Sequence, residues 1–128
     1  MSTERTSVST HILDTSIGRP AQGVAVSLAA RSGSGAEWAA LGGSTTDADG
    51  RCKDLPALPE GTTQVRLDFD TGSYLASKPA EAQQDAPRVR DSGAFFPEVA
   101  ITFAVEPGEH YHVPLLLNPF GYSVYRGS

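Results

Sequence analysis

The sequence predicts an all-β fold, an antiparallel sandwich, from three observations. Segments rich in β-branched and aromatic residues recur along most of the chain. Gly, Pro, Asp and Asn punctuate them at short intervals. Within the first and the last long segments, side-chain character alternates with a period of two.

The strand segments run in order from Val8 to Asp14, Val24 to Arg31, Trp38 to Thr46, Thr63 to Asp70, Val99 to Val105, Tyr111 to Asn118 and Tyr122 to Arg126. Turns separate them at Gly18-Arg19-Pro20, Asp47-Ala48-Asp49-Gly50, Pro107-Gly108 and Pro119-Phe120-Gly121. Strands at this spacing favour two packed sheets. One stretch differs. Between Gly72 and Gly93 the chain is rich in Ala, Gln and Glu, which favours helix, while Pro79 and Pro87 confine any helix between them to roughly two turns. We expect one short helix and a mobile loop there, with residues 77–92 as an insertion and residues 1–6 as a flexible N-terminus.

The chain of 128 residues suits one domain, spanning 1–128, with a single core. Its net charge of −5, with both signs interspersed, gives neither a nucleic-acid stripe nor a polybasic membrane patch. The opening MSTERTSVST lacks the apolar stretch of a secretory signal, and no apolar run is long enough to cross a bilayer, so the expected compartment is the cytoplasm. Cys52, the single cysteine, excludes an intrachain disulfide and a multi-cysteine metal cage. We read it as a small, half-buried strand residue.

Three histidines carry most of the chemical interest. His110 and His112 share one face of their strand, opposite Tyr111, Val113 and Leu115, while His11 shares its face with Ser9 and Leu13. Arg126 and Ser128 share a parity with Tyr122 and Val124. Were the first and last strands neighbours on one sheet surface, imidazoles, guanidinium and hydroxyl would converge. Each group also has an ordinary reading: a hydrogen-bonded surface histidine, or in Arg51 a strand-start arginine paired with a nearby carboxylate. Asp47-Ala48-Asp49-Gly50 lacks the later ligands of a calcium loop and reads as a turn. His-x-His without a Cys or carboxylate partner is a weak zinc signal, and no metal site is expected.

Four separated motifs resemble those of the 5-hydroxyisourate hydrolases, the enzymatic branch of the transthyretin-like family. They are the start "STHILDTSIGRPAQGVAVSL", the middle "TTDADGR", the segment "FFPEVAITF" and the end "HYHVPLLLNPFGYSVYRGS", together spanning nearly the whole chain. The terminal YRGS is the most specific, because the hormone carrier transthyretin shares the fold without it. The sequence departs from the usual pattern at Asn118, where Ser is common, and at Val124, where Thr is common. The segment from Ser77 to Ser92 looks longer than the family's usual connection.

The resemblance implies a transthyretin-like sandwich of about eight strands with one short helix. It implies a homotetramer, a dimer of dimers, with sites at subunit interfaces along a central channel. The catalytic residues it implies are His11, Arg51 and His112, and the substrate-binding ones are Tyr125, Arg126, Gly127 and Ser128. His110 is left out of that set. The reaction implied is hydrolysis of 5-hydroxyisourate to 2-oxo-4-hydroxy-4-carboxy-5-ureidoimidazoline, without metal or cofactor. Its chemical needs are a base for water, a donor for the developing oxyanion and a proton for the departing nitrogen. One of His11 and His112 would serve as base, and Arg51 would hold oxygens and stabilise charge. Gly127 would permit close backbone approach, Tyr125 would pack, and Arg126 suits substrate contact or subunit pairing equally. The chain-terminal carboxylate would orient a histidine or pair with Arg51, so a residue appended after Ser128 is expected to lower turnover. The alternatives are a carrier of small aromatic ligands in the central channel, and a structural interaction module that would tolerate Ala at His11, Arg51 and His112.

Overall fold

A computed structural model describes residues 6–76 and 95–127. Among them nine strands and one helix follow in the order β1 (Ser7–Asp14), β2 (Arg19–Pro20), β3 (Ala25–Arg31), β4 (Ala39–Thr45), β5 (Arg51–Cys52), β6 (Gln64–Phe69), α1 (Thr71–Ala76), β7 (Val99–Ala104), β8 (His110–Asn118) and β9 (Gly121–Val124). One sheet has the order β2-β1-β8-β9, with β5 also paired to β1, and the second has the order β4-β3-β6-β7.

The seven expected strands are all present, with ends that differ by a residue or two. The additional ones, β2 and β5, are two residues each and pair with β1 at its C-terminal end, Leu13 and Asp14, and at its middle, Thr10 and His11. The pairings are antiparallel except that of β1 with β8, which is parallel from Ser7↔His110 to Asp14↔Leu117. Antiparallel order is the expectation for strands joined by short turns. β1 and β8 come from opposite ends of the chain, where no hairpin fixes their relative direction.

Alternation places the core. Val8, Ile12, Val113, Leu115 and Leu117 from the first sheet meet Val26, Leu28, Val65, Leu67 and Phe69 from the second, all buried. Cys52 joins this cluster and is fully rather than half buried, opposite Thr10 in the ladder. The opposite parity of β1 and β8 therefore faces outward: Ser7, Ser9 and His11 on one strand, His110 and His112 on the other.

Two buried polar residues hold the frame. The Thr10 hydroxyl donates to the Val113 carbonyl at 2.6 Å, tying β1 to β8. Asp14, fully buried, accepts from the Tyr74 hydroxyl at 2.7 Å and from the Ser16 amide and hydroxyl, which ties β1 to α1 and to its own turn. Burial and the neighbouring Asp14 carboxylate push the Tyr74 hydroxyl well above its ordinary pKa.

Helix α1 begins at a side-chain cap. Asp70 accepts from the Ser73 amide at 3.1 Å and from its hydroxyl at 2.8 Å. This helix precedes Pro79, and the stretch between the two prolines lies, with the rest of the 77–92 insertion, outside the described residues. At the N-terminus Thr6 is buried and fastened: its carbonyl accepts from the Leu58 amide and its hydroxyl from the Gly108 amide. The rest of the N-terminal segment expected to be flexible lies outside the described residues.

Candidate active site

The outward face of β1, β5 and β8 brings His11, Arg51 and His112 together. Arg51 stands opposite His11 in the β1–β5 ladder, and His112 stands opposite Ser9 in the β1–β8 ladder. The His11 and His112 rings have centroids 6.4 Å apart and planes 33° apart. That gap is wide enough for a small group to engage both.

The turn before β5 aims Arg51. Asp47 Oδ1 accepts from the Asp49 amide at 2.9 Å and from the Arg51 amide at 3.0 Å, so the carboxylate closes the turn on backbone donors. Those bonds hold the Asp47 carboxyl below the usual carboxylate range. Gly50, with φ of 76°, completes the turn where a Cβ would lie 2.5 Å from the Ile12 carbonyl oxygen. The ordinary reading paired Arg51 with a carboxylate, but among the described residues the ion pairs are Arg66–Asp68 and Arg126–Glu109. Arg51 is exposed at this face, on the strand paired with His11.

His112 is the most constrained of the histidines. Ser9 Oγ lies 2.8 Å from its Nδ1. Partial burial lowers its pKa, and the charges of His11, Arg51 and His110 lower it further. Both effects favour the neutral imidazole. With Nδ1 engaged by Ser9, Nε2 is the nitrogen available to an incoming molecule.

The tail closes against this ring. The Gly127 amide donates to the His112 carbonyl at 2.7 Å, and a Cβ at Gly127 would lie 2.9 Å from His112 Cδ2. Backbone at position 127 thus takes space a side chain would deny to the imidazole. Ser128 lies outside the described residues.

Arg126 is not brought to the imidazoles. Its guanidinium sits 4.7 Å from the Tyr111 ring centroid and pairs with Glu109 at 3.2 Å, on the side of β8 that carries the buried Tyr111 and Val113. There it lines an apolar cleft of about 230 Å³ with Phe103, Tyr111, Val113, Val124 and Tyr125. Tyr125 is 57% exposed. Beyond the end of β9 the adjacent Tyr125 and Arg126 both line this cleft, and the bridge from His112 to Gly127 follows them.

Two residues of this face were not singled out from sequence. Ser7 Oγ lies 2.6 Å from His110 Nδ1, and Ser9 Oγ lies 3.0 Å from His110 Nε2 as well as close to His112. The signal was the shared parity of Ser7, Ser9 and His11. It gained meaning only with the parallel register. Among the described residues no group of three or more His, Cys, Asp or Glu side chains is placed to hold a metal ion.

With this geometry in hand, a family model described as HIUase/Transthyretin matches residues 8–127. The chain belongs to this family. A 5-hydroxyisourate hydrolase of Salmonella dublin is 42% identical over 123 residues, covering 94% of this chain and 80% of that protein. The structure of Klebsiella pneumoniae 5-hydroxyisourate hydrolase superposes with a TM-score of 0.69 at 35% identity, covering 99% of this chain and 100% of that one. Transthyretin from Sparus aurata superposes with a TM-score of 0.71 at 26% identity, covering 94% of this chain and 95% of that one. The fold is therefore the transthyretin-like sandwich.

Proposed function

We propose that this protein is a metal-independent hydrolase that converts 5-hydroxyisourate to 2-oxo-4-hydroxy-4-carboxy-5-ureidoimidazoline, with His11, Arg51 and His112 as its catalytic residues. The observation that carries the reading is the convergence of His11, Arg51 and His112 on one outward face, with the two imidazole centroids 6.4 Å apart. The relatives from Salmonella and Klebsiella support the substrate.

In this reading His112 Nε2 takes a proton from water as the water oxygen attacks a ring carbonyl carbon. The carbonyl π pair moves onto oxygen, where the Arg51 fork stabilises the charge through directed N–H donors. As the pair returns, the ring C–N bond breaks and the departing nitrogen receives the proton from His112. Every proton removed from water is thereby returned to product or solvent. His11 hydrogen-bonds the substrate and fixes its orientation. A guanidinium near His112 keeps the base form populated, since adding a second positive charge there is unfavourable.

The tail residues divide by position. Gly127 admits the backbone to His112, and we assign Ser128 to substrate binding. We assign Arg126 and Tyr125, at the cleft, to subunit pairing. The protein works as a homotetramer, a dimer of dimers in the cytoplasm, with sites completed at subunit interfaces. Exposed Ile17, Phe95, Phe120 and Tyr122 support an assembly that covers them.

The test is the decay of 5-hydroxyisourate, generated from urate and followed by ultraviolet absorbance, with wild type and with His112→Ala. The reading requires acceleration by wild type that the variant loses. A well-folded wild type without acceleration favours the carrier of aromatic ligands, and ligand binding unaffected by His11→Ala and Arg51→Ala would then identify it. Sedimentation across concentration tests the tetramer, whose dissociation should abolish turnover.

A further inference from the structure

We propose that Ser9, His110 and Ser7 form a hydrogen-bonded proton relay behind His112, which selects its tautomer and moves the catalytic charge to the exposed His110. This rests on the reading of His112 as the base.

The geometry is continuous. Ser7 Oγ meets His110 Nδ1 at 2.6 Å, His110 Nε2 meets Ser9 Oγ at 3.0 Å, and Ser9 Oγ meets His112 Nδ1 at 2.8 Å. Each hydroxyl carries one proton and each neutral imidazole one N–H. A continuous chain of neutral groups therefore has two internally consistent directions. In the first, His112 Nδ1–H donates to Ser9, Ser9 donates to His110 Nε2, and His110 Nδ1–H donates to Ser7. That direction leaves His112 Nε2 with a bare lone pair, as a base requires. In the second, every donor reverses and Nε2 holds the proton.

The catalytic step converts part of the chain from one direction to the other. His112 Nε2 accepts a proton from water; its Nδ1 proton passes to Ser9 Oγ while the Ser9 proton passes to His110 Nε2. The water oxygen forms its bond to the carbonyl carbon. His112 is then neutral with a proton on Nε2, and His110 is imidazolium, its Nδ1–H still donating to Ser7. When the C–N bond breaks, the Nε2 proton goes to the departing nitrogen, the Ser9 proton passes to His112 Nδ1, and His110 Nε2 returns its proton to Ser9. One proton leaves water and one reaches nitrogen, so the chain ends as it began.

The displacement of charge has a physical reason. The titratable and charged groups facing His112 are His11 from β1, Arg51 from β5 and His110 from its own strand, while the tail presents Gly127. An imidazolium at the half-buried His112 would face the Arg51 guanidinium with little water. At the exposed His110 it is hydrated, with Glu109 adjacent in the chain. Ser9 and His110 are positioning residues here, acting through His112.

The experiment measures kcat and KM for 5-hydroxyisourate across pH in wild type, Ser9→Ala, Ser9→Thr, His110→Gln and His112→Ala. We expect Ser9→Ala and His110→Gln each to lower kcat about tenfold or more with little change in KM, and Ser9→Thr, which keeps the hydroxyl, to recover most of it. Unchanged kcat and pH profile in folded Ser9→Ala would overturn the relay while leaving the base in place. Activity retained by His112→Ala would instead overturn the base reading itself. Nitrogen NMR of the wild-type imidazoles decides independently of any variant's folding. His112 resting as the Nδ1–H tautomer supports the relay, and His112 resting as Nε2–H overturns it.

Discussion

The backbone of Gly127 is pressed against the ring of His112: its amide donates to the His112 carbonyl at 2.7 Å, and the space where a Cβ would stand lies 2.9 Å from Cδ2. The same Cβ would lie 3.2 Å from the His112 carbonyl oxygen and 3.3 Å from Pro114 Cδ, so neighbours on three sides resist it. Gly127→Ala must therefore move the tail or the imidazole. Since an offset of ~1 Å at a catalytic group costs on the order of a hundredfold, we expect kcat to fall at least about tenfold. The thermal midpoint should change little, because the bridge lies at the end of the sheet. Kinetics beside a melting curve check both.

Arg51 tunes the protonation of His112 as well as contacting substrate in our account. Burial lowers the His112 pKa first, and the Arg51 charge lowers it further. The base must be neutral, so activity rises as pH rises through that pKa. Removing the cation raises the pKa and moves the acid limb of the kcat/KM profile to higher pH. Arg51→Ala should show this shift together with a large loss of kcat, and Arg51→Lys should restore the position of the limb better than the rate, since an ammonium supplies charge without the planar fork. Profiles measured from pH 5 to 9 separate the two effects.

Tyr74 and Asp14 predict an alkaline instability. The folded state raises the Tyr74 pKa by burial and by its bond to Asp14. A raised acid contributes stability that is fully present below the unfolded pKa of about 10 and is lost as pH rises from there toward the folded value. Urea midpoints should therefore fall above about pH 10 in wild type, and less steeply in Tyr74→Phe. At pH 7 the same substitution should cost about 1–2 kcal/mol, because the buried Asp14 carboxylate loses a donor.

Cys52 should be inert while the protein is folded. It is 1% exposed, and burial raises its thiol pKa, which depletes the reactive thiolate. An aromatic disulfide reagent should label it slowly in buffer and at once in urea. Equal rates would place the β5 turn in frequent local opening.

Period-two alternation was enough to place His110 and His112 on one face and His11 with Ser9, because strand geometry depends only on local parity. The register between strands is not local. Nothing in the first strand or in the eighth states that they pair in parallel, so the apposition of Ser7 and Ser9 with His110 and His112 emerged only from the structure. Arg126 shows the same limit: beyond the end of β9 it lines the cleft together with the adjacent Tyr125, which strand parity does not indicate. At two residues each, β2 and β5 are too short to show a period. Helix α1 had a readable start in Asp70 and Ser73, a local cap that the sequence shows directly.

The most direct test of the central claim is the rate of 5-hydroxyisourate hydrolysis by wild type and by His11→Ala, Arg51→Ala and His112→Ala, each confirmed as folded and assembled like wild type. One site made from these three side chains predicts fast turnover in wild type and a loss of about a hundredfold or more in each variant. Wild-type rates in all three would contradict it and move the chemistry away from the outward face of β1, β5 and β8.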